Sequence, residues 1–137
     1  MNAVGIDVSK GKSMIAITQP FGVVVAEPFE VSHDGQSLSE LVERVKRLPG
    51  ETKAVMEYTG TYYEPIANAL HNAGIFVSVV NPLLIDDYGT NRVRKVKTDK
   101  KDAFKIANYA LDKWTQLREY IPAEDTRKTL KVLNRQY

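Results

Sequence analysis

The chain has 137 residues, 43% of them hydrophobic and 26% charged, which is enough apolar material for one globular core. Cysteine is absent, which excludes disulfide bonds and thiolate metal sites. No apolar run approaches the roughly 20 residues of a membrane-spanning helix, and no signal peptide precedes the first apolar residues, so we expect a cytoplasmic protein with no membrane partner. The net charge of +2 does not by itself indicate a nucleic-acid partner.

The N-terminal quarter of the chain predicts three antiparallel strands. Residues 3–8 alternate between apolar side chains and small or polar ones, the period of a strand. Residues 13–18 and 23–31 predict the second and third strands. Short turns at 9–12 and 20–22 separate the three segments, so we predict an antiparallel meander.

A helix and a short strand follow the meander. Ser37 and Glu40 match a capping box, in which each side chain bonds a free amide of the first helical turn. Apolar residues then recur at helical spacing as far as Leu48. Pro49-Gly50 ends this helix, and residues 53–57 predict the fourth strand.

The next segment repeats the order of helix and strand. Thr61 and Glu64 match a second capping box, and the helix that they open ends at Gly74. Residues 75–80 are almost wholly apolar, as is typical of a central parallel strand. A short helix is predicted from Pro82 to Tyr88.

The remaining residues predict a basic loop and two more helices. The loop runs from Gly89 to Lys97, and Thr98 is interpreted as the N-cap of a helix that ends near Lys113. Leu117–Asp125 reads as a connector. A last helix begins near Thr126 and keeps its apolar stripe to the end of the chain, so we expect it to lead into a further C-terminal region.

Three strands followed by alternating helices and strands predict an α/β fold with a mixed five-stranded sheet and flanking helices. This is the element order of the ribonuclease H-like fold. We predict a catalytic domain over residues 1–115 and a connector with the start of a helix over residues 116–137.

Four acidic residues fall where the predicted strands and one helix begin or end. Asp7 is near the end of the first strand and Glu57 at the end of the fourth. Asp99 and Asp102 are three residues apart in the first turn of a helix, so they share a face. Converging carboxylates repel one another unless cations are bound, and Mg²⁺ or Mn²⁺ prefers such oxygen ligands. Two ions about 3.5–4 Å apart are the usual device for phosphodiester chemistry, so we predict that these four residues are catalytic and bind metal.

Each acid has an ordinary structural interpretation as well. Asp7 would serve as a turn residue before Gly11, and Glu57 as a solvated strand end. The two aspartates of the helix would complement its dipole. His33 and His71 are interpreted as loop and helix-surface residues rather than ligands, since His metal sites normally combine several histidines.

Basic residues are concentrated between Arg92 and Lys101, just before and within the first turn of the helix with the two aspartates. This segment holds about a third of all Lys and Arg in less than a tenth of the chain. Such a cluster is typical of a phosphate-binding surface, and a solvated loop is the alternative. The predicted nucleic-acid-binding residues are Arg92, Arg94, Lys95, Lys97, Lys100 and Lys101.

Three acid-bearing segments, together with Asn81-Pro82, resemble the N-terminal part of the DEDD transposases of bacterial insertion sequences. This family includes the Piv-type DNA invertases and the bridge-RNA-guided recombinases. The resemblance covers essentially the whole chain. The segments are Gly5-Ile6-Asp7-Val8-Ser9-Lys10, Met56-Glu57-Tyr58-Thr59-Gly60 and Thr98-Asp99-Lys100-Lys101-Asp102-Ala103.

The resemblance implies a RuvC-like catalytic domain whose acidic tetrad is Asp7, Glu57, Asp99 and Asp102. It also implies DNA as substrate, a homo-oligomer and, in at least some members, a structured guide RNA. Members of the family carry a C-terminal domain with a serine thought to be the nucleophile. These 137 residues lack that domain, so we expect them not to complete recombination alone.

Three other functions share some of these features. A Holliday-junction resolvase or another metal-dependent endonuclease of the same fold would use the same acids with water as the nucleophile. A sugar-kinase or actin-like ATPase also begins with Gly-x-Asp-x before a hairpin, but 137 residues leave no room for its second half. A non-catalytic nucleic-acid-binding module would not need all four acids.

Overall fold

The computed structural model describes residues 1–58, 60–89 and 99–122, with the side chains of 86–89 and 99–101 outside that description. These residues form one five-stranded sheet with the strand order β3-β2-β1-β4-β5. Helices pack on both faces of the sheet. The mixed five-stranded α/β fold expected from the sequence is confirmed. Over the described ranges, no helix is both long and apolar enough to cross a membrane.

The predicted antiparallel meander is also confirmed. It consists of β1 (Asn2–Ser9), β2 (Lys12–Gln19) and β3 (Val23–Ser32), with β2 antiparallel to both of its neighbours. Gly11 and Gly22 lie in the two turns with φ of 76° and 78°, a conformation that glycine adopts without steric cost. The turns therefore reverse the chain over few residues. Strand β1 lies in the middle of the sheet.

Two helical crossovers complete the sheet on the other side of β1. Helix α1 (Gly35–Lys46) leads to β4 (Thr52–Glu57), and α2 (Glu64–Asn72) leads to β5 (Phe76–Val80). Strand β4 runs parallel to β1 and to β5. The carboxyl ends of β1, β4 and β5 therefore lie at one edge of the sheet.

Two further helices follow β5. They are α3 (Pro82–Gly89) and α4 (Asp99–Asp112), and a short 3-10 helix, Trp114–Gln116, comes directly after α4. Both helices had been predicted, to within a residue or two at each end. The predicted N-cap Thr98, most of the predicted basic loop and the helix predicted from Thr126 lie outside the described residues.

The predicted cap of α1 was wrong. Asp34, and not Ser37, is the N-cap, and its Oδ1 accepts a hydrogen bond from the Ser37 backbone N–H at 2.7 Å. The Ser37 hydroxyl donates to Asp34 Oδ2 at 3.0 Å. These hydrogen bonds lower the pKa of Asp34. An ionised carboxylate is a stronger acceptor than a hydroxyl, so the helix begins one turn earlier than the Ser37–Glu40 pair had suggested.

The predicted capping box of α2 was also wrong. Tyr63 occupies the N-cap without a side-chain hydrogen bond, and the helix begins at Glu64. Thr61 belongs to the preceding turn, where its backbone carbonyl accepts the Glu64 N–H at 3.1 Å. Pro65 explains the later start, because proline is favoured in the first turn, where its missing N–H leaves no bond unmade.

The two faces of the sheet are covered by different cores. Helices α1 and α2 pack on one face, over large aliphatic residues such as Ile6, Ile15 and Met56. Helix α4 packs on the other face, over smaller residues such as Ala3 and Val55. Residues 117–122 have no regular structure, and Leu117 and Tyr120 within them pack against these cores.

Candidate active site

Asp7 and Glu57 occupy neighbouring positions at the ends of the parallel strands β1 and β4. The last paired residues of these strands are Ile6 and Met56, so Asp7 and Glu57 are the next residues on each strand. Neighbouring strands lie about 4.8 Å apart, and successive residues point to opposite faces. Ile6 and Met56 are buried beneath α1 and α2. Asp7 and Glu57 therefore belong to the opposite face, the one that α4 covers.

Helix α4 approaches β1 unusually closely at Gly5. A Cβ atom placed on Gly5 would collide with the backbone of Ala103 and Ala107, and it would lie 2.8 Å from the Ala107 Cβ. Only glycine on the strand, facing alanines on the helix, permits this approach. Gly5 is two residues before Asp7 and points to the same face. The Ala103 turn of α4 is thereby fixed next to the end of β1.

The direction of α4 is fixed by contacts at its C-terminal end. The Lys53 ammonium, near the start of β4, donates to the Trp114 carbonyl at 2.8 Å and lies 4.9 Å from the Trp114 ring. The Trp114 indole N–H donates to Glu51 Oε1 at 3.2 Å. The C-terminal end of α4 is thus held at the amino end of β4. Its N-terminal end therefore lies towards the carboxyl ends of the parallel strands.

Asp99 and Asp102 occupy the first turn of α4. Position 99 opens the helix, one turn before Ala103, and its side chain is outside the described part. Asp102 directly precedes Ala103 and is half-buried, as are Asp7 and Glu57. The fold thus brings the predicted acids towards one edge of the sheet. Among the side chains that the structure describes, no group of three or more His, Cys, Asp or Glu residues could hold a metal ion.

Two opposing electrostatic effects act on carboxylates at this edge. The backbone amides at the N-terminus of α4 carry partial positive charge, which stabilises carboxylates in the first turn. Acids brought to one edge also repel one another. Of the predicted phosphate-binding residues, Arg92, Arg94, Lys95 and Lys97 lie outside the described residues, whereas Lys100 and Lys101 lie in the first turn of α4 with side chains outside the description.

Both histidines are engaged away from these acids. His33 Nε2 lies 2.7 Å from the Ser13 hydroxyl oxygen, and burial lowers the pKa of His33. Ser13 is buried and follows the same strand alternation as Ile15, on the face of α1 and α2. His71 lies in the last turn of α2, with its ring edge-on to Tyr120 at 6.1 Å. These contacts give both histidines structural partners.

Two features of the site were missed in the sequence. The first is the close approach at Gly5, for which a glycine inside a strand was the available signal. The second is a group of aromatic rings beside Glu57. Tyr58 lies 5.3 Å from Tyr63, and Tyr63 lies 6.0 Å from Tyr120. No local pattern connects Tyr120 with the other two, because more than fifty residues separate them in the chain.

Comparison with solved structures shows the same fold in RuvC. Thermus thermophilus RuvC superposes with a TM-score of 0.58 at 15% sequence identity, covering 88% of this chain and 100% of the RuvC chain. RuvC solved in complex with a Holliday junction substrate also gives 0.58, at 14% identity over 85% of this chain and 96% of its own. This likeness confirms the ribonuclease H-like, RuvC-like fold.

Two curated relatives are pilin gene-inverting proteins. The pilin gene-inverting protein of Moraxella bovis is 42% identical over 55 residues, and that of Moraxella lacunata is 40% identical over 55 residues. In each case the shared segment covers 40% of this chain and 17% of the relative. The match therefore spans less than a fifth of either relative's length.

The family itself is identified by a match over nearly the whole chain. The model of a transposase family, the DEDD transposases named for the insertion sequence IS110, matches residues 4–137. This range includes every segment on which the resemblance in the sequence was based. The chain belongs to the IS110-type DEDD transposase family.

Proposed function

We propose that this domain binds two divalent metal ions through Asp7, Glu57, Asp99 and Asp102, and uses them to cut and rejoin DNA strands as the catalytic domain of a transposase. The packing of α4 on Gly5 carries the proposal, because it sets the first turn of α4 beside the strand ends of Asp7 and Glu57. An ordinary surface cluster of acids would not need a helix in backbone contact with the central strand.

The donor set fits magnesium or manganese. All four candidate ligands are carboxylates, and hard divalent cations prefer oxygen. When bound, the ions supply Lewis-acid stabilisation of the attacking and leaving oxygens of a phosphodiester. The chain's own contribution is to fix the carboxylates on rigid elements: two on neighbouring strands and two on a helix anchored at its far end by Lys53 and Trp114.

The experiment for this proposal is a thermal unfolding series with Mn²⁺ and Mg²⁺. Only the folded chain gathers the four acids, so a bound ion raises the melting temperature. Asp7→Asn removes most of that increase. Glu40→Gln is the matched control, since Glu40 is an exposed acid on α1, on the other face. Equal metal responses of the two variants would reject the site.

DNA is the proposed substrate, and the basic segment before α4 is its proposed phosphate contact. Its charges directly precede the helix of Asp99 and Asp102 in the sequence, so we expect a phosphate bound there to approach the ions. Replacing Arg92 and Arg94 with alanine weakens DNA binding and flattens its dependence on salt. The pair Lys46 and Arg47, at the C-terminal end of α1, is the control. If both double variants lost DNA-binding affinity equally, the basic segment would be interpreted as a solvated loop.

The similarity to Piv-type invertases and bridge-RNA-guided recombinases supports two further proposals for the whole protein: assembly as a homo-oligomer and guidance by a structured RNA. Sedimentation of the protein with and without the transcript of its own element tests both. A single monomeric species that ignores this RNA would contradict them.

The RuvC-like fold favours a second candidate, a Holliday-junction resolvase-like endonuclease. The two reactions differ in their products. A recombinase with a serine nucleophile passes through a covalent protein–DNA adduct, whereas a resolvase leaves hydrolysed ends. We propose that the adduct needs the serine-bearing C-terminal region, so residues 1–137 with DNA and Mg²⁺ give neither adduct nor joined product. Either product from these residues would show that they are sufficient.

A further inference from the structure

Three tyrosines link the end of β4 to the segment that follows α4. The rings of Tyr58 and Tyr63 are tilted by 41° with centroids 5.3 Å apart. The rings of Tyr63 and Tyr120 meet edge to face at 6.0 Å. We refer to Tyr58, Tyr63 and Tyr120 as the tyrosine stack. It is separate from the acids, because it lies on the side of α1 and α2, where Tyr63 and Tyr120 pack against the core.

At one end, the tyrosine stack holds the residue next to Glu57. The Tyr58 backbone N–H donates to the Val80 carbonyl at 2.8 Å, one residue beyond the end of β4. Tyr58 is 58% exposed, so its ring has little other packing. The chain then turns at Gly60, where φ is 58°. The hydrogen bond to β5 and the contact with the Tyr63 ring both hold Tyr58, the residue next to Glu57.

At the other end, Tyr120 ties residues 117–122 to the domain by three contacts. Its backbone N–H donates to the Val77 carbonyl of β5 at 2.6 Å. Its hydroxyl donates to Asn68 Oδ1 on α2 at 2.7 Å. Its ring also meets His71 edge-on. Burial raises the pKa of Tyr120, so the hydroxyl remains a donor throughout the neutral range.

We propose that Tyr63 and Tyr120 are positioning residues, which couple the segment 117–122 to the placement of Glu57 through Tyr58. The coupling follows from the order of contacts: Tyr120 is bonded to β5 and α2, Tyr63 precedes α2, and Tyr58 is joined covalently to Glu57. A displacement of the chain at Tyr120 is passed along two ring contacts to the end of β4. The role of Glu57 as a metal ligand rests on the proposed function, whereas the mechanical coupling does not.

The coupling connects two parts of the chain with different tasks. Residues 117–122 follow α4 in the sequence and are bonded to β5 through Tyr120, and Glu57 is one of the acids of the proposed metal site. A partner or chain segment that pulls on residues 117–122 would therefore alter metal binding without touching an acid. This is the regulation that the tyrosine stack provides.

The test compares Tyr120→Leu with Tyr120→Phe. Leucine keeps apolar bulk but removes the ring, whereas phenylalanine keeps the ring contacts and loses only the bond to Asn68. Tyr62→Ala is the control, because Tyr62 is in the same turn as Tyr63 but is 48% exposed. Amide hydrogen exchange at Tyr58 measures the coupling without metal, and the exchange of the Ile15 amide reports global stability.

We expect Tyr120→Leu to speed the exchange at Tyr58 about threefold to tenfold more than at Ile15, the range expected from one aromatic pair. We expect the Kd for Mn²⁺ to rise by a similar factor. Tyr120→Phe and Tyr62→Ala stay within about twofold of the original chain on both measures.

Three results separate the possible failures. Equal acceleration at Tyr58 and Ile15 in Tyr120→Leu overturns the coupling, since the tyrosine would then act on global stability alone. Faster exchange at Tyr58 with an unchanged Kd for Mn²⁺ overturns the positioning of Glu57. Absence of saturable Mn²⁺ binding in the original chain rejects the proposed function, while the exchange comparison still decides the coupling.

Discussion

Helices pack on the two faces of the sheet in different ways. On the face of α1 and α2, large aliphatic side chains fill the space between helix and strand, with Ile6, Ile15 and Met56 fully buried. On the face of α4, Gly5 meets alanines, and the helix backbone lies against the strand backbone. Among the described residues, the first face has the larger cluster of buried apolar side chains. On the second face, the helix comes closer to the strand.

The difference shows that one face of the sheet mainly stabilises the fold, whereas the other mainly positions the functional groups. Burial of a large aliphatic residue contributes about 1.5–3 kcal/mol wherever its neighbours fill the space around it. A functional site needs its groups to be placed within about 0.5 Å. The small residues beneath α4 stabilise less, but they fix the distance between the helix and the strand ends. We therefore expect mutations on the two faces to affect different measurements.

The largest effect is expected from Gly5→Ala. The added methyl group meets helix backbone, which cannot rotate away, so the helix must move as a unit. Overpacking of this kind costs about 1–3 kcal/mol or more, and we expect the upper end of that range in urea unfolding. The metal-induced rise in melting temperature should fall at the same time, because α4 carries two of the acids.

Gly35→Ala is the control for that variant. Gly35 is the first residue of α1, and an added Cβ there meets no atom within 4 Å. Alanine at this position should be neutral or slightly stabilising, because it restricts the unfolded chain. If Gly5→Ala behaved like Gly35→Ala, the close approach of α4 would not constrain the fold.

A matched pair of smaller changes separates the two faces more finely. Ile6 is fully buried under α1 and α2, and Ile106, at 1% exposure, is buried in α4 one turn after Asp102. Replacement of either by valine should cost about 0.5–1.5 kcal/mol in unfolding. Only Ile106→Val should also weaken the response to Mn²⁺. If Ile6→Val and Ile106→Val changed the response to Mn²⁺ equally, the packing of α4 would position the acids no more than the packing of α1 and α2 does.

The sequence predicted the sheet and its helices because their signals are local. Alternating apolar residues gave β1 and β2, and the apolar run before Asn81 gave β5 as a parallel strand. The predicted cap of α1 was wrong because both Asp34 and Ser37 are residues that can cap a helix, whereas α2 begins at Glu64 without any side-chain cap. In the folded helix Asp34 is the acceptor, and Ser37 donates to it through both its backbone N–H and its hydroxyl.

The candidate site was predictable in part. Asp7 and Glu57 could be assigned to strand ends, and parallel pairing then placed them side by side. The approach at Gly5 and the tyrosine stack depend on contacts between distant parts of the chain, such as Tyr63 with Tyr120. Spacing along the sequence carries no information about such contacts. The tetrad and its metal ions remain predictions.

The smallest expected effect is on the pH dependence of folding stability. It comes from His33, on the face of the sheet opposite the acids. Burial lowers the pKa of His33 from its ordinary value of 6.5, so the unfolded chain binds a proton more readily than the folded one. The resulting stability is complete above pH 6.5 and is lost as the pH falls through the lowered value. His33→Asn should therefore lose less stability than the original chain between about pH 7.5 and about pH 5.5. An identical pH dependence in both proteins would contradict this assignment.

The most direct test of the acidic site is paramagnetic broadening of backbone amide signals by substoichiometric Mn²⁺. A bound Mn²⁺ ion broadens the signals nearest to it, so the positions of the affected amides locate the ion. The site described above predicts that the signals of Asp7, Glu57 and Asp102 disappear first, while those of Glu40 and Glu43 on α1 persist. Broadening centred on α1, or spread evenly over the exposed acids, would contradict the assignment of a metal site to the carboxyl edge of β1 and β4.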